Sequence, residues 1–139
     1  MPKILVSDPV APEGIELLRS QGEVNVKLRL GPKDLVSIIG EYDALVVRSE
    51  TKVTAEVIEA GGQLQVIGRA GVGGDNIGLD AATRKGIAVV NAPTGNTIAA
   101  AEHTIAMMLA LARNIPQANE SLRRGEWTRS AFTGVEVRN

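Results

Sequence analysis

The sequence predicts an α/β protein built on a parallel, doubly wound sheet. Short aliphatic runs alternate with helical segments five times between Lys3 and Val90, the pattern of repeated strand, crossover and strand. The apolar content is 44% with only one Trp, one Tyr and one Phe, and aliphatic strands of this kind suit a sheet covered by helices. Gly68, Gly71, Gly73 and Gly74 crowd together directly after the aliphatic run 64–67, as expected of a strand that ends in a binding turn.

Residues 3–7 form the first strand. Asp8-Pro9 and Pro12-Glu13-Gly14 turn the chain into a helix carrying Ile15, Leu17 and Leu18, which stops at Gly22. Val24, Val26 and Leu28 alternate and predict a second strand over 24–28. Pro32-Lys33-Asp34 opens a helix with Leu35, Val36, Ile38 and Ile39 on it. The run 44–47 is aliphatic without alternation, which marks a central strand. Thr54 is a good N-cap for a helix over 55–60, which Gly61-Gly62 ends. Then come the strand 64–67, the glycine turn with Arg69 inside it, a helix over 79–85 closed by Gly86, and a strand over 87–90.

After Pro93 the character changes. Residues 97–113 are alanine-rich and apolar on most sides over about five turns, and such a helix is expected to lie buried between two layers. Met107 and Met108 read as core filling. A further helix runs from Pro116 to Arg124 and ends at Gly125-Glu126-Trp127, and the segment 128–139 shows no pattern.

Fifteen basic and sixteen acidic residues leave a net charge of −1 with no block of one sign, which argues against nucleic acid or a membrane surface as partner. The absence of cysteine excludes a disulfide framework, thiolate metal sites and a thiol nucleophile. No leader is expected at the start of the sequence. The longest apolar stretch falls short of the ~20 residues of a membrane span, so a cytoplasmic protein is expected.

The glycine turn is not a dinucleotide fingerprint. Its order, Gly68-x-x-Gly71-x-Gly73, reverses G-x-G-x-x-G, and no Lys-Ser or Lys-Thr follows to complete a phosphate loop. Two readings stay open: backbone N–H groups of Gly71, Val72 and Gly73 offered to an anion beside Arg69, or a plain strand-to-helix turn. Arg48 directly follows the run 44–47 and precedes Ser49. If the two runs are neighbouring strands, two guanidinium groups and a hydroxyl meet at the carboxyl ends of one sheet, where open α/β sheets bind ligands. A guanidinium fork suits a carboxylate or phosphate; a single arginine at a strand end is more often a solvated charge. His103, the only histidine, has Ala99, Ala100, Ala106 and Met107 as its helical neighbours, none of which exchanges a proton, so no catalytic role is expected of it. Asn91 and Asn96 flank Pro93; either amide could orient a substrate oxygen, and Asn96 could equally cap the following helix. No metal-ligand cluster and no nucleophile with a base can be assembled.

Four segments together resemble the D-isomer-specific 2-hydroxyacid dehydrogenases: Arg48-Ser49-x-Thr51-x-Val53-Thr54, Gly68-Arg69-Ala70-Gly71-Val72-Gly73-x-Asp75-Asn76-Ile77, Ala81-Ala82-Thr83-Arg84-Lys85-Gly86-Ile87, and Asn91-x-Pro93-x-x-Asn96-x-x-x-Ala100-Ala101-Glu102. The resemblance covers essentially the whole chain. It implies a flavodoxin-like substrate-binding domain over 1–96, then over 97–139 a long crossing helix and the first helix of a truncated Rossmann coenzyme domain. It implies NAD as cofactor and a phosphorylated 2-hydroxy acid as substrate, in a homodimer or homotetramer. Arg48 and Arg69 would hold the acid's phosphate or carboxylate, supported by Ser49, with the Val72-Gly73 backbone on the carboxylate. Asn96 would touch substrate, Val72 and Ala100 would lie near the nicotinamide, and Arg129 would reach a partner subunit. The family's G-x-G-x-x-G strand and its catalytic arginine, glutamate and histidine come after the position of Asn139, so the sequence resembles an amino-terminal portion that does not turn over alone. Gly74 and Gly78 depart from the pattern, standing where relatives carry an aliphatic residue and an aspartate. Two alternatives remain open: a sister enzyme acting on glyoxylate, hydroxypyruvate or another 2-hydroxy acid, and a standalone anion-binding regulatory module.

Overall fold

A computed structural model describes residues 1–138 of the chain. Five strands, β1 (Lys3–Val6), β2 (Glu23–Val26), β3 (Ala44–Val47), β4 (Val66–Arg69) and β5 (Ala88–Asn91), form one sheet in the order β2-β1-β3-β4-β5. Every pairing is parallel, so the predicted fold class stands. Four helices lie between the strands: α1 (Pro12–Arg19), α2 (Pro32–Ile38), α3 (Ala55–Ala60) and α4 (Leu79–Lys85). Two more, α5 (Thr97–Ala112) and α6 (Ile115–Arg123), follow. The chain divides into two compact units, Met1–Gly95 and Asn96–Asn139.

β3 is the middle strand, as its unbroken aliphatic run predicts. The sheet's two faces nevertheless differ. Leu5, Leu45 and Ile67 share a register row and are fully buried, with Val47, against Leu35, Val57, Ile58, Ala81 and Ala82 of the row α2, α3 and α4. On the other face Ile4, Ala44, Val46, Val66, Gly68 and Val90 line an apolar groove of about 380 Å³ that only Leu18 of α1 enters from a helix. Burial along β3 therefore alternates even though its sequence does not.

Local chemistry sets most boundaries. Thr54 is in the extended region and its Oγ1 accepts from Val57 N at 3.4 Å, the expected cap of α3. Thr54→Ala should lower stability by about 1 kcal/mol, read as a shift in the urea midpoint at constant slope. Gly86 ends α4 with φ +69°, a backbone state that costs any residue with a Cβ.

Several boundaries move. Pro12 to Gly14 form the first turn of α1 rather than a turn before it, because proline suits the opening position of a helix. That helix ends at Arg19, before Gly22. At Gly22 a Cβ would meet the Pro2 carbonyl oxygen at 2.5 Å, so this glycine serves close packing. β2 stops at Val26, leaving Leu28 outside and both residues 45% exposed, as befits an edge strand. β4 runs to Arg69, so Gly68 and Arg69 belong to the strand and not to the turn. Gly68 is held in the ladder between Val46 and Val90.

In the second unit α5 buries no residue. Met107 and Met108 are 59% and 48% exposed and Leu111 is 80% exposed, so neither methionine fills a core within the described residues, contrary to expectation. α6 follows Asn114, which takes the left-handed conformation at φ +52°. A short 3-10 turn, Arg129–Phe132, stands where no pattern was expected. Buried Ser121 gathers Glu126 and Thr128 around its hydroxyl at 3.3 and 3.1 Å. The hydrogen bond and charge of Arg124 hold the Glu126 carboxyl below the usual carboxylate range, so this pair contributes at neutral pH and is lost as pH falls through that lowered value. No helix among the described residues is long and apolar enough to cross a membrane.

Candidate functional site

Parallel pairing puts Val47 of β3 opposite Arg69 of β4. Arg48 therefore stands one residue beyond Arg69 at the same carboxyl rim of the sheet. Arg48, just past the end of β3, is exposed with Nη1 3.5 Å from the Pro9 carbonyl, whereas Arg69 Nε donates to Asn76 Oδ1 at 2.9 Å. The Arg69 side chain is only 11% exposed, and Asp75, itself open to solvent, lies 3.7 Å from its Nη2. A planar fork with one nitrogen fixed keeps its remaining donors in a defined direction.

The glycine turn is shaped around that guanidinium. A Cβ on Gly71 would stand 2.7 Å from Arg69 Nη1, and one on Gly73 would stand 2.9 Å from Asp75 Oδ1. Ala70 N donates to Val47 O at 2.8 Å, which ties the turn to the end of β3. Ala92 N donates to Gly71 O at 3.0 Å and Asn91 Nδ2 to Val72 O at 2.5 Å, which tie it to the end of β5. One N–H of the Asn91 amide is thus engaged on the turn. Val72 and Gly73 are exposed, and among the described residues their backbone N–H groups have no acceptor. Two free amides beside a fixed guanidinium make a surface fit for an oxyanion.

Three buried polar residues that the sequence reading did not single out as site residues hold this rim together. Asp8, 2% exposed at the end of β1, accepts from Arg48 N at 2.5 Å, Thr51 N at 3.2 Å and Thr51 Oγ1 at 2.6 Å. Asn76, 5% exposed, donates through Nδ2 to Arg48 O at 2.7 Å and Thr51 O at 2.8 Å. Thr51 is buried between them, with Ser7 Oγ 3.0 Å from its hydroxyl. Ser49, between the two anchored positions, is exposed. The available signal was Asp8 at the end of an aliphatic strand; its partners Arg48 and Thr51 lie 40 and 43 positions away.

The remaining candidates belong to the second unit. Asn96 precedes α5 without a side-chain capping bond, so the capping alternative is not realised. Ala100 N donates to Asn96 O at 2.9 Å in the first turn of that helix. Both residues are exposed, as is His103 one turn further on. Arg129 opens the 3-10 turn and lines a cavity of about 270 Å³ with Trp127 and Phe132.

The model of the D-isomer specific 2-hydroxyacid dehydrogenase catalytic domain matches residues 4–135. A D-3-phosphoglycerate dehydrogenase of Synechocystis sp. is 56% identical over 137 residues, covering 99% of this chain and 25% of the relative. One of Archaeoglobus fulgidus is 54% identical over 137 residues, covering 98% and 26%. The chain spans about a quarter of the length of these curated relatives. Among solved structures, an NAD+-bound 3-phosphoglycerate dehydrogenase of Entamoeba histolytica superposes with a TM-score of 0.73 at 34% identity, covering 81% of this chain and 39% of that one. The parallel five-stranded sheet, the arginine rim and a match running through both units lead to one assignment: the chain belongs to the family of D-isomer specific 2-hydroxyacid dehydrogenases.

Proposed function

We propose that the chain is the substrate-binding portion of an NAD-dependent D-3-phosphoglycerate dehydrogenase, which oxidises the 2-hydroxyl of 3-phosphoglycerate to the ketone of 3-phosphohydroxypyruvate at the entry to serine biosynthesis. The observation that carries this reading is Arg69, fixed by Asn76 beside the two unspent N–H groups of Val72 and Gly73. Identities above one half to relatives named for that activity support it.

In this reading residues 1–96 form the substrate domain and 97–139 the crossing helix and the start of the coenzyme domain. The Val72 and Gly73 amides receive the carboxylate. Arg69 and Arg48 take the carboxylate or phosphate oxygens, and Ser49 supports them. Asn96 meets the substrate, while Val72 and Ala100 face the nicotinamide. The turn is filled by a side chain of its own sheet and lacks the dinucleotide spacing, so this portion orients the acid and offers NAD only apolar contacts. NAD supplies hydride acceptance when bound. The rest of the enzyme supplies the base for the hydroxyl proton. The exposed apolar side of α5 is covered in the complete homodimer or homotetramer, where Arg129 approaches the partner subunit.

Steady-state kinetics of the dehydrogenase that carries this chain test the reading. The expected kcat/KM favours 3-phosphoglycerate over D-glycerate by about a hundredfold or more, the worth of a charged, hydrogen-bonded phosphate. A preference for the unphosphorylated acid overturns it.

A further inference from the structure

We infer that Asn76 is a positioning residue: one buried amide sets the Arg69 guanidinium and the 48–51 turn in a single geometry that receives the acid. The inference rests on the proposed substrate reading and goes beyond it, because Asn76 itself spends its polar atoms inward. Its Oδ1 holds Arg69 Nε, and its Nδ2 holds the carbonyls of Arg48 and Thr51. Both amide hydrogens and the oxygen are therefore engaged within the protein.

The arrangement is a two-sided clip. Asp8 takes the N–H groups of Arg48 and Thr51, and Asn76 takes their carbonyls. Between these anchors Ser49 and Glu50 form an exposed tip. The same Asn76 fixes Arg69 on the neighbouring strand, so the tip and the guanidinium cannot shift independently. The backbone adds a second tie: Asn76 O accepts from Val53 N at 2.8 Å, and the Val53–Ile77 bridge continues it. A group held in place before the ligand arrives loses less freedom on binding, which is the expected gain from this clip.

The test uses the complete dehydrogenase that carries this chain, with Arg Nε–H NMR signals followed during titration with D-3-phosphoglycerate. In the unaltered chain the Arg69 Nε–H should exchange with water about tenfold more slowly than that of solvent-exposed Arg48. Asn76→Ala should abolish that protection and weaken phosphoglycerate binding about tenfold. Asn76→Ala added to Arg69→Ala should weaken binding by less than the product of the two single effects, because residues acting through one another are not additive. A merely structural role would multiply. Unaltered affinity in Asn76→Ala overturns the inference, as does an Arg69 Nε–H that exchanges as fast as Arg48's, a measurement that needs no variant to fold. A protected Nε–H in a chain that binds no phosphoglycerate upholds the clip and overturns the substrate reading, so the two failures are told apart.

Discussion

Arg69→Ala is expected to raise the dissociation constant for 3-phosphoglycerate about ten- to a hundredfold in the complete dehydrogenase and to leave that for NAD unchanged. A hydrogen bond to a charged group contributes roughly 1.5 to 3 kcal/mol, and each 1.4 kcal/mol is a factor of about ten. The effect falls at the upper end of what one residue can do here because the side chain is only 11% exposed and prepositioned through Nε. Arg69→Lys should recover part of the affinity, since an ammonium keeps the charge and loses the fork. Calorimetric titration with substrate and fluorescence titration with NAD separate the two affinities. Equal losses for both ligands would place Arg69 outside the substrate site.

Asp8→Ala should lower the stability of the chain by about 3 kcal/mol, the largest effect on stability expected from a polar residue here. Its carboxylate is almost wholly buried and serves three donors from the 48–51 turn. Removing it leaves buried donors unpaired, at about 1–3 kcal/mol each when no water replaces the lost partner. Water reaching the exposed Arg48 side limits the sum. Asp8→Asn keeps one acceptor and should cost less. Urea unfolding of the three chains checks the order, and a loss below about 1 kcal/mol for Asp8→Ala would mean that the turn holds without it.

The sheet was legible in the sequence because its evidence is local. An unbroken aliphatic run from Ala44 to Val47 marks a strand inside a parallel sheet, and Thr54 marks a helix start by its hydroxyl and Gly86 a helix end by its lack of a Cβ. The strand ending at Arg69 was read short because a glycine looks like a breaker, whereas the ladder between β3 and β5 keeps Gly68 extended. The arginine rim was legible as Arg48 directly after one aliphatic run and Arg69 one glycine after the next. The clip beneath it was not, since Asp8 and Asn76 acquire their roles only when the ends of β1, β3 and β4 are adjacent. The apolar composition of α5 reports a need for cover and does not say which surface provides it. Composition in 128–138 likewise gave no warning of the turn at Arg129–Phe132, which has no repeating pattern to detect.

The proximity of Gly71 to the Arg69 head group also orders the substitutions that descent permits. Gly71 has no positive φ to forbid a methyl group; an alanine there would meet the guanidinium nitrogen 2.7 Å from where that methyl would sit, and the end of the Arg69 side chain would have to shift. A short side chain at position 69 would lift that contact, so the freedom of position 71 to carry a methyl group depends on what stands two residues before it.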